Sequence, residues 1–487
     1  MTSTKHALIE KGIFVYIVIY LIYTQFNKII PFSLVVDSRI IAFIYSALAL
    51  FGVLFLLIDA FGEKYIFRVP FADLLILFII VCVLSTLFNY KYNFIDNLKT
   101  IVWTAVQMLL LGSFVIRTPR EKLKGRVQII TNLMILVWFV AVIVSLYQFI
   151  FQIHWTVWMP DNPRITRQGF MEGRLFGVFG DPNYAGGIAF IMCVFSALNI
   201  RWNKNRLLRC FYVINIGLQM CYIALSGSRT ALLTGSVCIF AGVLIYLLVF
   251  PPKKLELFPG KARKTLFAFI AAVLGVVAFF GVIRVLQAEL TKIPEGVTDV
   301  KEVSLEREDV EENKDISNNR FHIWADGITI FRSTPILGTS PRGHLSYAED
   351  HFDDMYVVEK QYSLHNAYIT VLACTGLAGA LCAAAYIVLA AGRFIRYFFI
   401  YDGPRTSCNI ILPLFLIALS IAVIACLSSL IFFGNSVFEV MFWMNVSGAL
   451  TLAGSDMGPI IHEKPSVSYR VAAFLTGFVR KDKASGQ

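Results

Sequence analysis

The chain has 487 residues, 57% of them hydrophobic and 15% charged, with a mean hydropathy of +0.69. That balance excludes an ordinary soluble globular protein and marks a polytopic membrane protein. The formal charge of +11 does not indicate nucleic acid as a partner, because the basic residues recur between apolar runs instead of gathering on one face.

A membrane-crossing helix needs roughly 20 mostly apolar residues, and in chain order there are about twelve such runs. They cover 12–30, 40–60, 71–88, 101–116, 129–151, 183–200, 207–225, 231–249, 265–286, 367–391, 410–432 and 436–453. The first has basic neighbours and no well-placed small-residue cleavage site, so it reads as a retained signal anchor. Alternate connections carry the basic residues: Lys64 and Arg68, then Arg117 to Arg126, Arg201 to Arg209, Lys253 to Lys264 and Arg393 to Arg405. The positive-inside rule then puts both termini in the cytoplasm and segments 152–182, 226–230 and 287–366 outside. The chain divides into nine spans over 1–286 with an outer loop at 152–182, a large extracytoplasmic loop at 287–366, three spans over 367–454, and a cytoplasmic basic tail at 455–487. In that tail, 466–479 with Arg470, Arg480, Lys481 and Lys483 suits either an interfacial helix on an anionic leaflet or a disordered end. The nine cysteines fall in or beside spans without metal-type spacing, which predicts packing roles, no disulfide framework and no metal site.

The outer segments break the hydrophobic rhythm. In 152–182, Trp155 and Trp158 read as interfacial anchors; Arg164, Arg167 and Arg174 follow, then Gly177, Gly180, Asp181, Pro182 and Asn183. In the long loop, 292–315 is charged and largely acidic, which predicts a solvated helix or a flexible linker. Beyond it, Phe321, Trp324, Ile328 and Phe331 recur at helical spacing until Pro335, predicting an amphipathic helix lying against the membrane surface. Arg320 and Trp324 are four apart and share a face of that helix.

Chemistry-bearing side chains collect on the expected outer side. Arg229, in SGSRT, sits in a very short turn between spans, where a charge must pair or meet water. A structural role bonding helix-end carbonyls competes with a functional one. With Arg320 and Arg174 on the same side, the arginines suggest an anion site, since a guanidinium presents a rigid fork of donors to phosphate oxygens. His365 immediately precedes a span and titrates near neutrality, so it fits either proton transfer or backbone bonding at a helix start. His322, His344 and His351 read as loop residues, and Glu439 as a structural partner for an arginine.

Four motifs in fixed order, GRLFGVFGDPNYAGG (173–187), ALSGSRTALL (224–233), RFHIWADGITIFRSTPILGTSPRG (320–343) and HNAYITVLACTGLAGAL (365–381), resemble the O-antigen ligase and polymerase superfamily. The resemblance implies an all-α polytopic membrane protein with a GT-C-like fold, its large extracytoplasmic loop lying between helices 9 and 10, and no nucleotide-sugar domain. It implies glycan transfer from an undecaprenyl-diphosphate-linked donor to a glycan acceptor, on the outer face of the bacterial cytoplasmic membrane, without metal or cofactor. By motif position it assigns Arg229, Arg320 and His365 to catalysis; Arg174, Asn183, Trp324 and Asn366 are the further candidates, for substrate contacts. Arginines would then stabilise the charge growing on the departing diphosphate, while His365 takes the acceptor hydroxyl proton. The acidic insertion before Arg320 departs from the family pattern. Polymerisation of repeat units is the leading expectation, and ligation onto lipid A core or protein is the alternative. A lipid-linked glycan flippase is the competitor of another class; it predicts deep ionisable residues or paired broken helices, and the sequence offers few of either. Membrane lipid is an expected partner, and the sequence sets no oligomeric state.

Overall fold

The computed structural model describes residues 3–30, 36–159, 162–250, 260–300, 303–306, 317, 319–458 and 466–474. Residues 301–302 and 307–315 of the acidic stretch 292–315, with Lys253, Lys254, Arg480, Lys481 and Lys483, lie outside them. The chain is an all-α polytopic membrane protein. Its main helices are α1 (Ser3–Phe26), α2 (Ser38–Phe61), α3 (Ala72–Phe88), α4 (Phe94–Ala105, prolonged by a π-helical stretch Val106–Leu111), α5 (Arg120–Ile150), α6 (Pro182–Trp202), α7 (Arg206–Leu225), α8 (Arg229–Val249), α9 (Lys261–Leu290), α10 (Arg320–Ser333), α11 (His344–His351), α12 (Ala367–Ile395), α13 (Cys408–Ala425) and α14 (Val437–Asp456). Among the described residues, 11 helices are long and apolar enough to cross a membrane, and α3, at 17 residues, is a shorter apolar helix on the expected third run.

Burial separates centre from periphery. In α14, the last of these helices in the chain, 89% of the spanning window is buried, against 11% in α2. α14 is therefore the axis of the bundle, while α2 turns Phe43, Leu50, Leu54 and Phe61 outward, where lipid covers them.

Four details depart from expectation. Segment 154–177 forms a three-stranded antiparallel sheet, β1 (His154–Met159), β2 (Asn162–Met171) and β3 (Arg174–Gly177), paired in the order β1-β2-β3. Trp155 and Trp158 both lie on β1. The expected span 410–432 ends at Ala425, and 426–436 is non-helical; Trp443 Nε1 donates to the Ile431 carbonyl at 2.7 Å and Thr104 Oγ1 to that of Phe432 at 3.1 Å. Non-helical backbone at membrane depth persists where neighbours bond its polar groups, as here. The buried face of α10 is Ile323, Gly327 and Ile330, rotated from the expected stripe, and Phe321 is 68% exposed. α10 packs on α12, so its cover is protein as well as any membrane surface. Glu439 accepts from the Ser436 amide at 2.8 Å and from the Ser436 hydroxyl, forming a capping box at the start of α14 instead of pairing with an arginine.

The loop after α10 is welded into α12. Gly376 breaks that helix with φ +59°, and the segment Pro335–Ser340 pairs with the freed backbone: Leu377 N donates to the Pro335 carbonyl at 2.8 Å, and Ser340 N to that of Cys374 at 2.9 Å. Asn89 Nδ2 donates to the Gly338 carbonyl and Asn97 Nδ2 to Ser340 Oγ, tying the same loop to the α3–α4 turn. At the opposite end of the bundle, Arg117 is buried against Asp59 at 3.1 Å, so this basic residue is matched inside the protein.

Candidate active site

The end of the bundle that carries the long loop encloses a cavity of about 290 Å³. Its walls come from distant parts of the chain: Lys28 just past α1, Asp181 to Tyr184 at the start of α6, Thr230 in α8, Pro341 to His344 in the welded loop, Ser363 to Thr370 around the start of α12, and Ser428 to Phe438 leading into α14. Four helices thus begin at this cavity. Each is capped by a side chain, Asp181, Ser228, Asn366 or Ser436, which accepts from its own first-turn amides. Helix starts carry partial positive charge, and four of them bias the cavity toward an anion.

Full charges strengthen the bias. Arg342 donates through Nε to Thr100 Oγ1 at 3.1 Å and through Nη2 to the Phe433 carbonyl at 2.8 Å; both partners are neutral, so its charge remains available to the cavity. Lys28 is exposed, its ammonium 5.4 Å from the Tyr184 ring centroid. The carboxylate among the lining residues, Asp181, is engaged by the amides of Asn183 and Tyr184.

Two histidines share these walls. His365 is half-buried with φ +46°, a left-handed conformation that disfavours a side chain carrying Cβ. Asn366 holds the strained turn: its Oδ1 accepts from the amides of Tyr368 and Ile369, and its Nδ2 donates to the Cys426 carbonyl at 3.0 Å. Such strain persists where the surroundings over-determine it, which is common at functional sites. His344, expected to be an ordinary loop residue, is 9% exposed. Its Nδ1 lies 3.8 Å from Cys374 Sγ, and its buried Nε2 has no hydrogen-bond partner among the described residues. Burial first, and Arg342 second, push its pKa down to about 4, which leaves the ring neutral at pH 7.

Of the seven residues singled out from the sequence, His365 and Asn183 line the cavity. Asn366 adjoins it as the cap of α12, and Arg229, the exposed first residue of α8, immediately precedes the lining residue Thr230. Arg174 lies behind the wall: Nε donates to the Ser226 carbonyl at 3.0 Å and Nη2 to Asn183 Oδ1 at 2.9 Å, bracing the SGSR turn against the start of α6. Gly227, with φ +59°, lets that turn close over the Arg174 side chain. Arg320 and Trp324 belong to α10 and are not among the lining residues; Trp324 sits edge-on to Phe321 in a small separate core with Ile323, Tyr347 and Leu364.

Lys28, Arg342 and His344 were missed as site residues. Arg342 falls inside the motif ending TSPRG and His344 directly follows it, so their proximity to Pro335–Gly338 was a usable signal. Lys28 carries no local signal, since only tertiary packing brings the end of α1 to the start of α6.

A family model described as O-antigen ligase matches residues 213–384. No curated protein matches the chain. The matched segment runs from within α7 into α12 and contains Arg229, Arg320, Arg342, His344 and His365, while Lys28, Asp181, Asn183 and the 428–436 loop lie beyond it. Residues 213–384 are thus similar to the O-antigen ligase family, in line with the resemblance that the four motifs carry.

Proposed function

We propose that the chain is a glycosyltransferase that polymerises undecaprenyl-diphosphate-linked glycan repeat units on the outer face of the bacterial cytoplasmic membrane. The observation that carries this reading is the meeting of His365, His344, Arg342 and Lys28 with four helix starts in one cavity. That set suits a diphosphate at a membrane boundary. Bond cleavage at the anomeric carbon leaves negative charge on the departing oxygen, and preorganised cations and amides stabilise it in a water-poor site. Arg342 and Lys28 are assigned to the diphosphate, with Arg229 and Arg320 reaching its flanks once the donor is bound. His365 takes the proton of the attacking acceptor hydroxyl or orients that hydroxyl. Attack opposite the diphosphate inverts the anomeric centre. Asn183 is assigned to a sugar hydroxyl, and Arg174 and Asn366 act through the residues they hold. The chemistry requires no metal in this scheme.

The alternation of basic connections supports an orientation with both termini cytoplasmic and the cavity outside. A second reading, ligation of a finished glycan onto lipid A core or protein, is favoured by the match to an O-antigen ligase family. Donor chemistry is common to both, so product decides. Purified protein given lipid-linked repeat units, without nucleotide sugar, ATP or ion gradient, is expected to produce a ladder of lengthened carrier-linked chains. Transfer of an intact chain only to a different acceptor would replace polymerisation by ligation, and no transfer to any acceptor would remove the glycosyltransferase reading.

A further inference from the structure

One wall of the candidate active site lies beyond the family match at 213–384 and has a chemistry of its own. Segment 426–436 crosses from the His365 side, where the Cys426 carbonyl accepts from Asn366 Nδ2 at 3.0 Å, to the cationic side, where the Phe433 carbonyl accepts from Arg342 Nη2 at 2.8 Å. Trp443, Thr104 and Gln107 donate to its carbonyls at Ile431, Phe432 and Gly434. Ile431 is held at φ +83°, a conformation that a β-branched residue adopts only where its surroundings impose it. A backbone fixed in this way presents its side chains in fixed positions, and Ser428, Ser429 and Leu430 line the cavity.

The hydroxyls beside His365 have a set polarity. Thr370 has one hydroxyl hydrogen and gives it to the Asn366 carbonyl at 2.7 Å, so in its 3.0 Å contact with Ser429 the serine is the donor. Ser429 Oγ, half-buried, then keeps only lone pairs for the cavity, and the chain of bonds through Thr370 to the carbonyl strengthens it as an acceptor. Ser428, also half-buried, has a hydroxyl with no hydrogen bond among the described residues, able both to donate and to accept. Neither 426–436 nor 363–370 contributes a Lys, Arg, Asp or Glu to this side of the cavity. A ligand matched to it is neutral, with neighbouring hydroxyls for the serines and a C–H face for Leu430. A pyranose ring has both.

We propose that Ser428, Ser429 and Leu430 form the subsite for the terminal pyranose of the acceptor glycan, Ser429 accepting one of its hydroxyl hydrogens, and that this subsite selects which glycan is extended. The role presupposes the glycosyl transfer proposed above. Donor contacts then fall to the cations and acceptor choice to the serine wall, with His365 between them.

The test is steady-state transfer by the purified full chain from an undecaprenyl-diphosphate-linked repeat unit to the same glycan freed of its carrier, which can accept but cannot donate. Ser428→Ala breaks no bond among the described residues, and it is expected to raise the KM for the freed glycan about three- to tenfold, the weight of one neutral hydrogen bond, with the KM for donor unchanged. Ser429→Ala is expected to raise it about tenfold, and Ser429→Thr, which keeps the hydroxyl, to raise it less. An unchanged KM for the freed glycan in both alanine variants, an equal rise in the KM for donor, or transfer that never uses the freed glycan would each overturn the subsite while leaving glycosyl transfer in place. No transfer to any acceptor by the natural chain would remove both.

Discussion

His365 and His344 line one cavity yet are prepared differently. His365 is half-buried and fixed by a strained backbone that Asn366 clamps from the next position, an arrangement suited to a proton acceptor held in one direction. His365→Ala is expected to lower the turnover of transfer by about 10²- to 10⁴-fold, the range of a lost general base, with unchanged membrane insertion and detergent elution. His344 is buried with its pKa lowered from 6.5 to about 4. Because its folded-state value lies below its unfolded value, the unfolded chain takes up the proton first as pH falls. Its contribution therefore disfavours the folded state progressively from about pH 6.5 to about pH 4, by on the order of 3 kcal/mol in total. His344→Gln removes this titration. Unfolding midpoints measured from pH 7 to pH 4 should fall less steeply in that variant than in the natural chain, and parallel curves would mean that His344 is solvated.

At the scale of elements, the decisive feature is the weld between loop 335–340 and the break in α12. Gly376 and Gly338 both have positive φ, and a Cβ on Gly376 would come within 2.4 Å of the Ile336 carbonyl. Gly376→Ala is expected to cost roughly 1–3 kcal/mol and to impair transfer, because the same loop delivers Arg342 and His344. A variant with an unchanged unfolding midpoint would show that the weld carries no weight. The apolar runs made the spans legible, down to the 17-residue α3, since hydrocarbon-length segments need only composition to be recognised. The stop at Ala425 was not legible: LSSLIFF remains apolar enough to read as helix, and only Trp443, Thr104 and the Ser436 cap reveal where its backbone bonds go. The site was half legible for a related reason. His365 stood out by type and position, and Arg229 and Asn183 by motif. Arg174 carried the same residue-type signal but turned inward as a brace, a difference that depends on the fold of β3 against the SGSR turn.

Across the whole molecule, the central helix α14 runs from the histidine-lined cavity, which its start borders, toward the end of the bundle where Arg117 is buried against Asp59. The proposed orientation in the membrane rests on the basic connections and is directly measurable: alkaline phosphatase fused after Leu290 is expected to be active in bacterial cells and after Ile400 inactive, with the reverse pattern contradicting it. In the proposed function, Arg342 then faces the carrier headgroup from outside. The most direct test of the proposed chemistry is steady-state transfer from a purified undecaprenyl-diphosphate-linked glycan by Arg342→Gln and His365→Ala. The expected result is a KM for donor raised about tenfold or more in Arg342→Gln, from the lost charge-assisted contacts, and a collapse of kcat in His365→Ala. Natural kinetics in both variants would contradict a diphosphate site at this cavity.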